Sequence, residues 1–325
     1  MKNNSLIIYP NCSMGGMATV YRTRILSNPQ INFTLLFVND LGGKSFFEDL
    51  ANVEVVIVRK DRLLAYASFL AESGVFANVF VTSLPEVANR IARVSGLELI
   101  YEFHSSSAMI IEKELNQLQI DDVSSIQVPS NYLLEIVAGY LDHDYHHSLK
   151  VVPNLTDGSI FRQRDDIDFE MNLDGRRPLV WIGRLDSGKN VADFLRLLSI
   201  VDDQYIGIII LGLEQDPSRF ANFLGYASSL GVKSRIRVFV NLPQAGIADL
   251  YNLARLNDGF FVSTSLGESF GYGVQEALDC GLNTLAYDVG ALAERTFRHE
   301  SVRYSLVDVG AIASMANRIL NSRNS

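Results

Sequence analysis

Gly259-Phe-Phe-Val-Ser263-Thr-Ser-Leu-Gly-Glu268-Ser-Phe-Gly271-Tyr-Gly273-Val-Gln-Glu276-Ala-Leu-Asp-Cys-Gly281-Leu-Asn-Thr-Leu-Ala-Tyr287 reads as an apolar strand, a glycine-rich turn, a helix over 271–280 and a second apolar strand. Strands with so little polar alternation, joined by a helix, belong to a parallel sheet covered on both faces. The same stretch sets two glutamates eight positions apart across the helix start. Amides there can donate to phosphate, and carboxylates on either side can accept from sugar hydroxyls. Two carboxylates also admit acid–base hydrolysis, or a capping Glu268 beside a solvated Glu276.

Outward from this unit the rhythm repeats. Leu179 to Ile182, Tyr205 to Leu211 and Ile236 to Val240 read as further strands, with helices expected at 190–200, 244–255 and 308–321. An earlier series reads as strands at Leu6 to Tyr9, Phe33 to Val38, Val53 to Val58, Val79 to Thr82, Leu97 to Phe103 and Leu149 to Val152, with a helix over Tyr132 to Leu141. The fold class expected is α/β, with two Rossmann-like domains facing a cleft lined by the carboxyl ends of both sheets. The boundary is expected near residue 155, giving domains 1–155 and 156–325, with the polar stretch Arg162 to Arg177 following it.

A length of 325 residues with 48% hydrophobic content supports two cores of this size. The net charge of -9, without a basic run able to track a phosphate backbone, argues against nucleic acid as a partner. Two cysteines, Cys12 and Cys280, lie too far apart for a disulfide or zinc pattern and fit a reducing cytoplasm. The N-terminal apolar run is too short for a signal peptide, and no stretch reaches the length of a membrane span, so any membrane contact is expected to be peripheral.

Three further segments carry chemistry. The first strand runs into Met14-Gly15-Gly16, a paired-glycine turn opening a helix, which either brings backbone close to a phosphate or sugar or is only a tight turn. Trp181-Ile-Gly183-Arg184-Leu-Asp-Ser-Gly-Lys189-Asn190 projects two cations from a strand-to-helix loop. Arg184 and Lys189 can neutralise a diphosphate as its bond to a sugar breaks, or can be a solvated loop with a surface salt bridge. His104 follows a buried strand and can donate to a phosphate or hydroxyl. Asp142-His143-Asp144-Tyr-His146-His147 has metal-ligand types but reads as a polar connector, so no metal site is expected.

With these motifs together, the chain resembles retaining glycosyltransferases of the GT-B fold, family 4. Val128-Pro-Ser130, Val151-Val-Pro-Asn154 and Tyr287-Asp-Val-Gly290-Ala-Leu-Ala-Glu294 add to the likeness. The resemblance implies that Glu268, with the amides of Ser269, Phe270 and Gly271, holds the donor sugar, that Glu276 binds the ribose, and that Gly183, Arg184 and Lys189 lie at the diphosphate. It implies that Val240, Asn241 and Leu242 meet the base, and that Gly15, Gly16 and His104 come from the acceptor-side domain and complete the donor pocket. His104, Arg184, Lys189 and Glu268 are the residues expected to act in catalysis. Such enzymes use a nucleoside diphosphate sugar as co-substrate and need neither metal nor other cofactor. The expected function is transfer of a hexose from a UDP- or GDP-sugar to a polysaccharide, glycolipid or protein acceptor in the cytoplasm. The alternative is a non-catalytic GT-B-like subunit that binds a partner transferase. An epimerase on the same fold would need further cleft acids and bases, which are not apparent.

Two departures from the family pattern stand out. Ala291 occupies the second glycine of a Gly-Gly-x-x-Glu segment, and the chain ends soon after the helix expected over Ala311 to Leu320. The latter implies looser domain closure or a contact supplied by a partner subunit. Tyr21, Arg24, Phe46 and Phe47 are further candidates for the acceptor side.

Overall fold

Every apolar run of the two series forms a strand, and the computed structural model describes them within residues 3–212, 216–294 and 302–304. The chain divides into two units, Met1–Leu155 and Thr156–Ser325. In the first, strands β1 (Asn4–Cys12), β2 (Asn32–Asp40), β3 (Val53–Ile57), β4 (Asn78–Thr82), β5 (Glu98–Glu102), β6 (Ser125–Val128) and β7 (Leu149–Val151) alternate with helices α1 (Gly16–Leu26), α2 (Leu63–Glu72), α3 (Pro85–Ile91), α4 (Ala108–Leu115) and α5 (Asn131–Ala138). The sheet order is β3-β2-β1-β4-β5-β6-β7, with every pair parallel.

The second unit holds β8 (Arg177–Gly183), α6 (Val191–Ile200), β9 (Tyr205–Leu211), α7 (Pro217–Ser229), β10 (Ile236–Val240), α8 (Gln244–Leu256), β11 (Phe260–Ser263), α9 (Tyr272–Asp279), β12 (Thr284–Tyr287) and β13 (Val302–Tyr304). Its order is β10-β9-β8-β11-β12-β13, again all parallel. In both sheets the order reverses beside the first strand, at β1/β4 and at β8/β11, which is where open α/β sheets leave a crevice for ligands.

Helices on both faces explain the missing polar alternation. Leu179, Trp181, Tyr205, Ile209 and Leu211 pack with Phe194 and Phe223 on one side of the second sheet. Val180, Ile206, Ile208 and Ile210 pack with Ile247, Tyr251 and Val274 on the other. All seven residues of β9 are buried, each large apolar side chain contributing about 1.5–3 kcal/mol.

Several elements are additional to the pattern read above: β6, β13 and α7. Helix α7 starts with Pro217 in its first turn, and Asp216 caps it by accepting from the Ser218 amide at 2.9 Å. The helix expected over 308–321 lies outside the described residues. Two of the suggested acceptor-side residues are core instead. Tyr21 is fully buried with its hydroxyl on Thr82 Oγ1 at 3.1 Å, and Phe47 is buried among aromatic rings.

Helix α9 lies directly on β8 and β11 because Gly273 has no side chain. A Cβ there would come within 2.7 Å of Ile182 Cγ2 and 2.9 Å of Phe261 Cζ. Gly273→Ala is therefore expected to destabilise the second unit by about 1–3 kcal/mol despite its better helix propensity. Gly225→Ala, in α7 and facing open space, is expected to stabilise by up to ~1 kcal/mol. Urea titrations of the two variants should move in opposite directions; matched midpoints would refute the close-packing account.

Candidate functional site

Parallel strands place the loops that follow β8 and β11 on one sheet edge, flanking the reversal in strand order. The first loop, 184–190, turns on Asp186. One carboxylate oxygen accepts from the Lys189 amide at 2.9 Å, and the other accepts from Arg184 Nε at 2.7 Å. Burial pushes this carboxyl up, but the Lys189 amide and the Arg184 guanidinium outweigh it and hold it below the ordinary carboxylate range. Asn190 then takes a left-handed conformation, φ 51° and ψ 52°, where α6 begins.

The loop after β11 meets this one. Leu266 N donates to the Gly188 carbonyl at 2.8 Å, and Lys189 Nζ donates to Glu268 Oε1 at 2.5 Å. The pair is mostly shielded, with the lysine side chain 28% exposed and the glutamate 13%. The structure thus brings Lys189 and Glu268 together. Arg184 is different: its side chain is 76% exposed and paired with Asp186 inside its own loop.

The turn continues through Ser269 and Phe270 to Gly271, whose φ of +81° is left-handed backbone that favours glycine. Helix α9 follows, its N-cap Gly271 having no side chain with which to cap it, and the positive end of its dipole lies at this turn. The Glu268 carbonyl accepts from the amide of Ala291 at 2.8 Å. Ala291 itself is buried, so the methyl that replaces a family glycine is covered by protein.

Glu276 is 6% exposed, which excludes the solvated-helix alternative. Two residues of packing surface, Val274 and Ala277, are buried on the same helix. Burial first, and the negative charge of Asp279 second, push the Glu276 carboxyl up to about 8. Asp279 is itself satisfied by Thr156 Oγ1 at 2.5 Å and Gln275 Nε2 at 2.7 Å. The buried Tyr251 hydroxyl has no hydrogen-bond partner among the described residues, and burial first, with the charge of Glu276 second, pushes it well above the ordinary tyrosine value.

Gly183 ends β8, and Val240 ends β10 with Asn241 and Leu242 immediately after it. Asn241 is left-handed (φ 53°), its amide bonded to the Leu211 carbonyl at 2.9 Å.

In the first unit, Gly15 precedes α1 without a side-chain cap and Gly16 is its first residue. Both are exposed. His104 follows β5, and its buried Nε2 has no hydrogen-bond partner among the described residues, but lies 3.9 Å from Glu102 Oε1, within ion-pair range when the imidazole is protonated. Glu102 is a buried carboxylate gripped by both terminal nitrogens of Arg24, at 2.5 and 3.2 Å. Burial pushes it up, but the Arg24 guanidinium, helped by the neighbouring His104, overrides this and holds it at about 2. Arg24 stacks over the Phe80 ring at 4.2 Å and is thus a structural cation of this pair. The segment 142–147 forms a short turn before β7, where His146 Nε2 sits 3.2 and 3.1 Å from the carbonyls of Ala138 and Leu141 at the end of α5.

Sequence reasoning passed over Asp186, Thr264 and Trp181. The Asp-x-x-Lys spacing carried a signal for the first, since a carboxylate commonly accepts from an amide two or three residues on.

Residues 163–323 match the family model described as glycosyl transferases group 1. No curated protein matches the chain by sequence. The chain is similar in structure to HepE of Anabaena, solved with UDP and glucose, with a TM-score of 0.82 at 15% identity over 100% of this chain and 91% of that one. It is also similar to sucrose-phosphate synthase from Thermosynechococcus elongatus, with 0.78 at 16% over 98% and 90%. A glycosyltransferase from Rickettsia africae gives 0.74 at 14% over 98% and 88%. The two parallel-sheet units therefore match the GT-B glycosyltransferase fold.

The raised Glu276 carboxyl has a consequence for stability. Its ordinary value is 4.5, and in the folded chain it is about 8, so the native state holds a proton that the unfolded chain gives up. The penalty is absent below pH 4.5, grows as pH rises, and is complete above about 8. Glu276→Gln should thus gain stability over wild type by on the order of 1 kcal/mol per pH unit between these limits. Thermal melts from pH 5 to 8.5 test this; a pH-independent difference would contradict it.

Proposed function

We infer that the chain is a group 1 glycosyltransferase of the GT-B fold, of family 4, which moves a hexose from a UDP- or GDP-sugar to a polysaccharide, glycolipid or protein acceptor with retention at the anomeric carbon. The observation that carries this reading is the Lys189–Glu268 pair at 2.5 Å, beside the start of α9. It sets a cation for phosphate and a carboxylate for hydroxyls in contact at the crevice of the second sheet. The match of residues 163–323 to the glycosyl transferase model supports the same reading, as does the complex of the similar HepE with UDP-glucose.

In this proposal the donor diphosphate draws Lys189 from Glu268. The freed carboxylate then accepts from the sugar hydroxyls with the amides of Ser269, Phe270 and Gly271, while Glu276 accepts from the ribose. Arg184, exposed on its loop, turns toward the diphosphate. Val240, Asn241 and Leu242 meet the base, and Gly15, Gly16 and His104 come from the acceptor-side unit. Charge on the leaving diphosphate is met by Lys189, Arg184 and the α9 amides, so the proposal calls for no metal or other cofactor.

The chemical step needs no protein nucleophile. The bond from the anomeric carbon to the phosphate oxygen breaks, a bond from the acceptor oxygen forms on the same face, and the acceptor proton passes to the leaving phosphate. What the protein contributes is orientation and stabilisation of the departing charge. We assign the reaction to the cytoplasm, with any membrane contact peripheral. No helix among the described residues is long and apolar enough to cross a membrane.

Incubation with a panel of nucleotide sugars, following nucleoside diphosphate release, tests the reading. Lys189→Ala is expected to lower kcat/KM by roughly 10²–10³-fold, the scale of losing a preorganised charge contact, and Glu276→Ala to raise KM. No release and no thermal shift with any donor would sink the transferase reading. Release unchanged by both substitutions would sink the residue assignments.

A further inference from the structure

Thr264, immediately after β11, is 1% exposed and makes three polar contacts. Its Oγ1 accepts from the Trp181 indole Nε1 at 3.0 Å and lies 2.8 Å from the Asn190 carbonyl and 3.1 Å from the Lys189 carbonyl. A hydroxyl has one hydrogen, so Thr264 donates to one of these carbonyls, the nearer being Asn190. Trp181 is 1% exposed and packed against Phe194. Its N–H can only donate, and inside this core it has Thr264 to donate to.

These contacts join two loops that only long-range folding brings together. On the far side, Asn190 Nδ2 donates to Asp193 at 2.7 Å, and the same carboxylate oxygen accepts from Tyr287 of β12 at 2.9 Å. Asp186 holds the Lys189 amide from within its loop. The main chain at Lys189 and Asn190 is thus fixed by an amide bond, a carbonyl bond and an anchored side chain. A buried polar cluster of this kind adds little net stability over apolar packing but specifies one geometry.

We propose that Thr264, itself oriented by the Trp181 indole, is a positioning residue that sets the backbone under Lys189 and so the place where the Lys189 ammonium meets the donor diphosphate. The inference rests on the reading of Lys189 given above, and Thr264 itself touches no ligand. Valine at this position keeps the shape but strips partners from the indole N–H and the Asn190 carbonyl. The loop then shifts to recover them and carries Lys189 with it. Displacement by about 1 Å at such a site can cost on the order of 10²-fold.

The experiment is calorimetric titration of the full chain with UDP, GDP and ADP, taking the nucleotide that wild type binds. Thr264→Val is expected to weaken binding by roughly 5–50-fold and Thr264→Ser, which keeps the hydroxyl, to stay within about 2-fold. In a Lys189→Ala background, Thr264→Val should add nothing, because the effect passes through the lysine. Unchanged affinity in Thr264→Val, or an undiminished effect without Lys189, overturns the positioning role while leaving the donor site standing. If Lys189→Ala binds like wild type, or wild type binds no nucleotide, the donor-site reading falls and takes this inference with it. Should Thr264→Val fail to fold, Trp181→Phe removes the indole donor, together with part of the buried ring. Weaker binding that vanishes in the Lys189→Ala background supports the inference, and wild-type binding overturns it.

Discussion

A sheet whose strands all run one way delivers every strand-to-helix loop to the same edge, and this constraint organises both units. The backbone polar groups of the strands are spent on one another, so polarity concentrates where the strands stop. In the second sheet the reversal of order between β8 and β11 leaves room between two such loops. Lys189 and Glu268 fill that room from opposite sides. The close seat of α9 on Ile182 and Phe261 aims its first turn at the same place.

Charge is distributed unevenly over this edge. Lys189 and Glu268 neutralise each other, Arg184 leans on Asp186, and Glu276 is kept near neutrality by burial and by Asp279. The ionic groups of this edge are therefore held in internal pairs. Under the proposed function, a donor diphosphate competes for these cations and releases Glu268 to meet hydroxyls, so one arrival changes the partner of several groups. The first unit has a comparable buried pair in Arg24 and Glu102, with His104 Nε2 3.9 Å from the same carboxylate. A buried pair of this kind is weak evidence for stability by itself.

Much of this was legible in the sequence because the informative signals were local. Uninterrupted apolar runs such as Tyr205 to Leu211 announce strands covered on both faces. The glycine-rich turn at 267–273 announces a helix start, with Gly271 where the backbone is left-handed. What escaped was either short or non-local. Ser125–Val128 is four residues long, and α7 is diluted by Gly225 and by serines at both ends. The Trp181–Thr264 bond joins residues 83 positions apart, so no spacing rule reaches it. Tyr21 and Phe47 misled for a related reason, because an aromatic residue in the helical turns that follow a strand looks the same in sequence whether it faces ligand or core.

Strand β9 carries a further implication, for the chain before it is folded. Tyr205-Ile-Gly-Ile-Ile-Ile-Leu211 has high strand propensity and no charge, and every residue is buried. Exposed on a nascent or thermally opened chain, such a segment is a template for pairing with its own copy. Asp202 and Asp203 stand just before it, exposed and separated from it by Gln204, in the position where acidic side chains of neighbouring copies repel and discourage that pairing. The same run that anchors the second core is thus an aggregation hazard until β8 and β10 close over it.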